Sequence, residues 1–154
     1  MADPHATAVA AQPRIATIRE ELEATFAARE QAYATENYEA LIDQVSPSYS
    51  ASRPDGTTMT REDLATYIRR NLDRWLRIIR QSNVIEQMRM DGENVVVDVR
   101  QNVARVQLVE GREAVVESSI LQTETWTPTS NGWKLLGVHN EREGWITIDG
   151  KPLT

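Results

Sequence analysis

The chain has 154 residues, a formal net charge of −6 and no cysteine. That length suits one domain with a proper core and is too short for two ordinary ones. The negative charge disfavours generic nucleic-acid binding, the missing thiols exclude disulfides and thiolate chemistry, and no apolar run nears the ~20 residues that span a bilayer.

The opening MADPHATAVAAQP has neither a basic start nor a long apolar stretch, so it does not read as a signal peptide. Residues 1–12 read as a flexible tail ahead of a single domain over 13–154. A cytoplasmic location is expected. The alternative is a secreted or periplasmic chain whose signal peptide has been removed.

Pro13 suits the first turn of a helix. From there Ile15, Ile18, Leu22, Phe26, Arg29 and Tyr33 recur at helical spacing, which predicts an amphipathic helix. Asn37 reads as the N-cap of a short second helix with Tyr38, Leu41, Ile42 and Val45 on its buried side, stopped by Pro47. Tyr49 to Arg53 reads as a short strand or arm, and Pro54-Asp55-Gly56 as a turn. Thr60-Arg61-Glu62-Asp63 has the spacing of a capping box and opens a third helix. Its stripe is Leu64, Tyr67, Ile68, Leu72, Trp75 and Leu76, with an end near Arg77.

Strands follow. Val84 to Met90, Asn94 to Val106, Ala114 to Trp126 and Trp133 to His139 alternate with period two, separated by Asp91-Gly92, Glu110-Gly111 and Ser130-Asn131-Gly132. Trp145-Ile146-Thr147-Ile148 reads as a small terminal strand. The long strands, roughly ten residues or more against a usual ~5–6, imply a sheet that bends. Apolar residues occur on both faces, and one helical layer covers only one. A second copy of the chain is the simplest cover for the other, so a homodimer through the convex sheet face is expected, unless those residues merely reflect strand propensity.

Three stretches carry a family resemblance: Ala34-Thr35-Glu36-Asn37-Tyr38-Glu39-Ala40-Leu41, Asp55 through Leu64, and Asn131-Gly132-Trp133-Lys134-Leu135-Leu136-Gly137-Val138-His139. In this order they resemble the nuclear-transport-factor-2-like (NTF2-like) superfamily, and the last two its SnoaL-like, ketosteroid-isomerase-like subgroup of unknown function. The resemblance covers roughly residues 15–142. It implies an α+β, cone-shaped NTF2-like or cystatin-like fold, with three N-terminal helices on a strongly bent, mostly antiparallel sheet. It also implies a pocket between helices and concave sheet face. The superfamily hosts lyases, isomerases, hydrolases and non-catalytic modules, so fold alone does not select a chemistry.

The ketosteroid isomerase mechanism needs a base Asp, a Tyr and a protonated Asp. Those positions fall near Arg53, near Arg29 and at Gln122 or Thr123, so the mechanism is not carried over. Nucleotide-loop, nucleophile-elbow and zinc-protease motifs are absent. His139 is the one histidine inside the predicted fold, which excludes a histidine-rich metal site, and neither metal nor cofactor is expected.

His139 is a candidate acid or base, or else a hydrogen-bonded histidine at a strand end. Asp98, Arg100 and Asn102 share one strand face and form a polar pocket group if that face is concave, with Asp98 the second catalytic candidate. On the convex face they would be interface or solvent residues. Glu117 and Ser119 are the rival pair on the next strand. Tyr49 and Arg53 lie on the arm and suit a ligand carbonyl and an anionic group, while Trp126 suits core packing or ligand stacking. Arg70, Arg74 and Arg77 share a face of the third helix and read as a solvated surface. The expected function is binding of a small apolar ligand, with acid–base chemistry on a carbonyl or hydroxylated substrate. The alternative is a non-catalytic homodimeric interaction or assembly module.

Overall fold

A computed structural model describes residues 4–53 and 55–153, among which there are three helices and seven strands. α1 is Pro4–Ala34, α2 is Tyr38–Asp43 and α3 is Arg61–Arg74. β1 (Ser50–Ser52) and β2 (Thr58–Thr60) pair antiparallel between α2 and α3. β3 (Trp75–Asp91), β4 (Asn94–Val109), β5 (Arg112–Thr129), β6 (Gly132–Ile148) and β7 (Lys151–Pro152) form one antiparallel sheet in chain order.

Local sequence explains the helix starts. The Asn37 side chain accepts from the Ala40 N–H at 3.1 Å and caps α2. At α3, Thr60 Oγ1 accepts from the Asp63 N–H at 3.2 Å while Asp63 Oδ2 accepts from the Thr60 N–H at 3.0 Å, a complete capping box. α1 begins at Pro4 rather than Pro13. The tail expected over 1–12 falls partly outside the described residues, and residues 4–12 continue α1.

α3 ends at Arg74, short of the expected Arg77. Trp75 has extended backbone, φ −81° and ψ 126°, and pairs with Gln107 of β4. Its apolar side chain matched the helical spacing, but ladder pairing decides its conformation. Likewise Trp145–Ile148 continues β6 instead of forming a separate strand.

Two faces of the sheet are now distinguishable. Val95, Val97, Val99, Ile85 and Trp126 cluster with Ile18, Leu22 and Phe26 of α1, which defines the inner face. Trp126 is fully buried and meets Phe26 edge-on, with centroids 5.6 Å apart. Such a pair is worth about 0.5–1.5 kcal/mol beyond area burial. The alternate residues of β4, including Asp98, Arg100 and Asn102, lie on the outer face with Thr123, Leu121 and Ser119 as their β5 partners.

The sheet is not strongly bent, which corrects the expectation drawn from strand length. Long strands twist, but curling them takes breaks in register. The central pair β4–β5 stays in unbroken register from Val95↔Trp126 to Val109↔Arg112, and irregularities are confined to the flanking pairs.

Candidate functional site

The site is built on an arginine in the wrong company. Arg29 follows Phe26 by three residues on α1 and so falls on its buried stripe. Opposite it, Glu124 sits on the inner face of β5 between Gln122 and Trp126, and is 0% exposed. Arg29 Nη2 donates to Glu124 Oε1 at 2.9 Å and Nη1 donates to Oε2 at 3.1 Å. Glu124 also accepts from Gln122 Nε2 at 2.7 Å and from Trp126 Nε1 at 3.0 Å.

Arg29 is held from further sides. Its guanidinium lies 4.9 Å from the Phe26 ring centroid and 5.4 Å from that of Trp126. Nη1 also donates to Asn83 Oδ1 at 3.1 Å, and the Asn83 N–H donates to Glu30 Oε2 at 2.9 Å. Burial works against the Arg29 charge, but Glu124 outweighs it and the pKa rises above the ordinary arginine value. Arg29, Gln122 and Trp126 all donate to the Glu124 carboxylate and hold both its oxygens in place. Glu124 is a fixed, fully hydrogen-bonded part of the floor.

Above this floor is a cavity of about 130 Å³ lined by Arg29, Tyr33, Gln122 and Glu124, with Leu41 and Leu135 among its apolar walls. A wider cavity of about 670 Å³ is lined by Arg53, Met59, His139 and Glu141. Tyr49, Leu64, Tyr67 and Val138 line both, so the two share a wall. Tyr49 is buried there, and burial, with Glu124 and Glu141 adding to it, pushes its pKa up to about 12. Its phenol keeps its proton at neutral pH and is a hydrogen-bond donor.

The rim is set by the β1–β2 hairpin and β6. Gly137 lies beside β1 so closely that a Cβ there would be 2.7 Å from the Ser50 carbonyl oxygen. Arg53 borders the wider cavity, donates to Thr57 Oγ1 at 3.2 Å and lies 3.7 Å from Asp63.

The sequence candidates divide between the faces. Tyr49, Arg53 and His139 border the wider cavity, and Trp126 lines the inner one as a core residue. Asp98 is on the outer face. Its carboxylate accepts from Thr123 Oγ1 at 2.8 Å and lies 3.4 Å from Arg142 Nη2. His139 is the β6 partner of Thr123, so Asp98, Thr123 and His139 form one row across three strands. Arg100, on the same outer face, is engaged by Glu86 at 2.8 Å and Glu143 at 3.3 Å. Asn102 and Glu117 meet in a shallow outer depression beside Trp145.

Sequence reading listed Arg29 as a stripe residue and passed over Glu124. The available signal was an arginine at an apolar helical position, together with a glutamate between Gln122 and Trp126 on a core-facing strand parity.

Among the described residues, no group of three or more His, Asp or Glu is placed to hold a metal ion, and no helix is long and apolar enough to cross a membrane. No family model matches the chain, and no curated protein matches it by sequence. Solved structures do. A candidate dehydratase of the NTF2-like family from Streptomyces avermitilis aligns with TM-score 0.65 at 16% identity, over 80% of this chain and 94% of that one. A protein from Kribbella flavida gives 0.65 at 12% identity over 84% and 95%. An NTF2-like superfamily protein from Salmonella enterica gives 0.61 at 14% over 89% and 94%.

The chain has the NTF2-like fold. The likeness extends over nearly the whole of each NTF2-like neighbour, so the helices and sheet that wall the cavities belong to the shared fold. At these identities the likeness concerns architecture alone.

Proposed function

We propose that this chain is a SnoaL-like member of the NTF2-like fold that binds a small, largely apolar molecule in the paired cavities. The observation that carries the reading is the cavity wall itself. Leu41, Val45, Leu64, Leu135 and Val138 make it apolar, while Tyr49 supplies a proton-holding donor. Pockets of this kind take their affinity from apolar contact and their orientation from a few polar groups. The locked Arg29–Glu124 pair keeps the floor rigid and polar, and the Tyr49 phenol meets a carbonyl or hydroxyl oxygen of the ligand.

The finer part of the proposal is acid–base turnover of that ligand, by a lyase, isomerase or hydrolase reaction. Tyr49 polarises the ligand oxygen, and His139, which pairs with outer-face Thr123 but borders the same wide cavity at the open edge of β6, exchanges the proton. The Streptomyces avermitilis neighbour described as a candidate dehydratase is compatible with this class of chemistry. The test is mass spectrometry of small molecules released on denaturing the purified chain. Recovery of one apolar oxygen-bearing compound from the wild type, with much less from Tyr49→Phe, supports the reading. Equal recovery from both, or none from either, counts against it.

A second copy of the chain on the outer sheet face is the accompanying assembly. Val84, Leu108 and Trp145 lie on that face, each more than half exposed or nearly so, and Trp145 is 50% exposed. Light scattering giving twice the chain mass, and the monomer mass for Trp145→Glu, supports it. A monomeric wild type removes it.

A further inference from the structure

A third cavity, of about 700 Å³, lies between α3 and the far end of the inner sheet face. Arg74, Trp75, Arg105, Gln107 and Ser118 line it, and none of its described lining residues is acidic. This is unexpected on a chain with 23 acidic and 17 basic residues. Other arginines are matched: inward Arg29 by Glu124, rim Arg53 by Asp63 and outer-face Arg100 by Glu86.

Arg105 is different. It is half-buried, and among the described residues no carboxylate lies within ion-pair reach of it. Its Nε donates to Gln107 Oε1 at 3.1 Å and its Nη1 donates to Ser118 Oγ at 2.8 Å, both neutral acceptors. The guanidinium lies 5.0 Å from the Trp75 ring centroid. These contacts fix the plane of the group without neutralising it, and they use fewer donors than a guanidinium has. Burial lowers its pKa from the ordinary arginine value, which fits a cation lacking a counter-charge.

We propose that Arg105, with Arg74 lining the same cavity, is a subsite for the oxyanion group, carboxylate or phosphate, of a small molecule. The preset planar fork suits bidentate recognition of such a group. Trp75 supplies an apolar flank for the adjoining part of the ligand. Tyr33, Tyr67 and Gln101 line both this cavity and the small one over Arg29. A ligand with an acidic end and an apolar body can therefore lie along the cleft with its charge at Arg105.

The test is an NMR titration of the full chain, read at the Arg105 Nε–H signal. The probes are phenylacetate, its uncharged amide and inorganic phosphate, each taken to roughly 10 mM, about ten times the Kd of a weak millimolar complex. The expected result is a saturable shift with phenylacetate or phosphate, none with the amide, and about a 10- to 100-fold weaker response of neighbouring signals in Arg105→Gln. No shift at Arg105 with either anion overturns the proposal, as does an equal response to acid and amide. The wild-type readout stands even where Arg105→Gln folds poorly. Being local to this cavity, it is separate from the fate of the Tyr49 reading.

Discussion

Arg29 and Glu124 form a bidentate pair, at 2.9 and 3.1 Å, between the first helix and the middle of the third long strand. Both are buried, 7% and 0% exposed, so neither charge has water to fall back on. Removing one partner from such a pair costs about 3–5 kcal/mol, because the other is left charged and desolvated. Arg29→Met and Glu124→Gln are each expected to lose stability on that scale in urea denaturation. The double variant is expected to lose less than the sum of the two. Losses below about 1 kcal/mol for both single variants would mean that the pair is not the anchor described.

Tyr49 gives a pH prediction. Burial raises its folded-state pKa to about 12 from an ordinary value of 10.0. The folded chain therefore holds this proton more tightly than the unfolded chain. Its stabilising contribution is complete below pH 10 and is lost as pH rises through about 12. Burial raises Tyr33 as well, so ultraviolet titration should show two phenols ionising later than the exposed ones, and one of those late steps should vanish in Tyr49→Phe. An unchanged number of late-ionising phenols in the variant would assign both late steps to tyrosines other than Tyr49.

The α3 cap was legible from four letters, Thr60-Arg61-Glu62-Asp63, because the capping box is a local, reciprocal hydrogen-bond pattern. Thr60→Ala should cost about 0.5–2 kcal/mol in thermal or chemical unfolding. It should also let the Asp63 carboxyl titrate nearer its ordinary range, since the Thr60 backbone N–H and hydroxyl are what hold it low. An unchanged Asp63 titration would show that the box does not persist in solution.

Other features were not local and were misread or missed. Trp75 and Leu76 fit the helical spacing of α3, yet strand pairing with β4 takes them. Strand length suggested a strong bend, but the register of β4 against β5 is continuous and the sheet is not strongly curled. The face carrying Asp98 could not be chosen from parity alone. It took the contact of Val95, Val97 and Val99 with α1 to orient the sheet. The Arg29–Glu124 pair spans two distant segments: helical spacing put Arg29 on the α1 stripe, Glu124 was passed over, and no local pattern says that the two meet.

Gly137 tests the geometry of the rim. A methyl group there meets the Ser50 carbonyl at 2.7 Å, a backbone atom that cannot swing aside. Gly137→Ala should therefore cost about 1–3 kcal/mol, the usual penalty for forced overpacking. It should also shift the β1 amide signals while leaving those of β4 in place. A neutral effect on both would mean that β1 does not pack on β6 at this point.

On the proposed function, the cavity under Tyr49 takes a small apolar ligand with one oxygen to accept the phenol's hydrogen bond. The most direct measurement is a two-dimensional NMR titration of wild type and Tyr49→Phe with a panel of neutral cyclic ketones and their parent hydrocarbons. The expected result is saturable shifts at Tyr49, Leu64 and Val138 in the wild type. The ketones should be preferred over the hydrocarbons by about the 2- to 10-fold that one neutral hydrogen bond provides, and that preference should be absent in Tyr49→Phe. Shifts confined to the outer sheet face, or no saturable shift with any member of the panel, would contradict it.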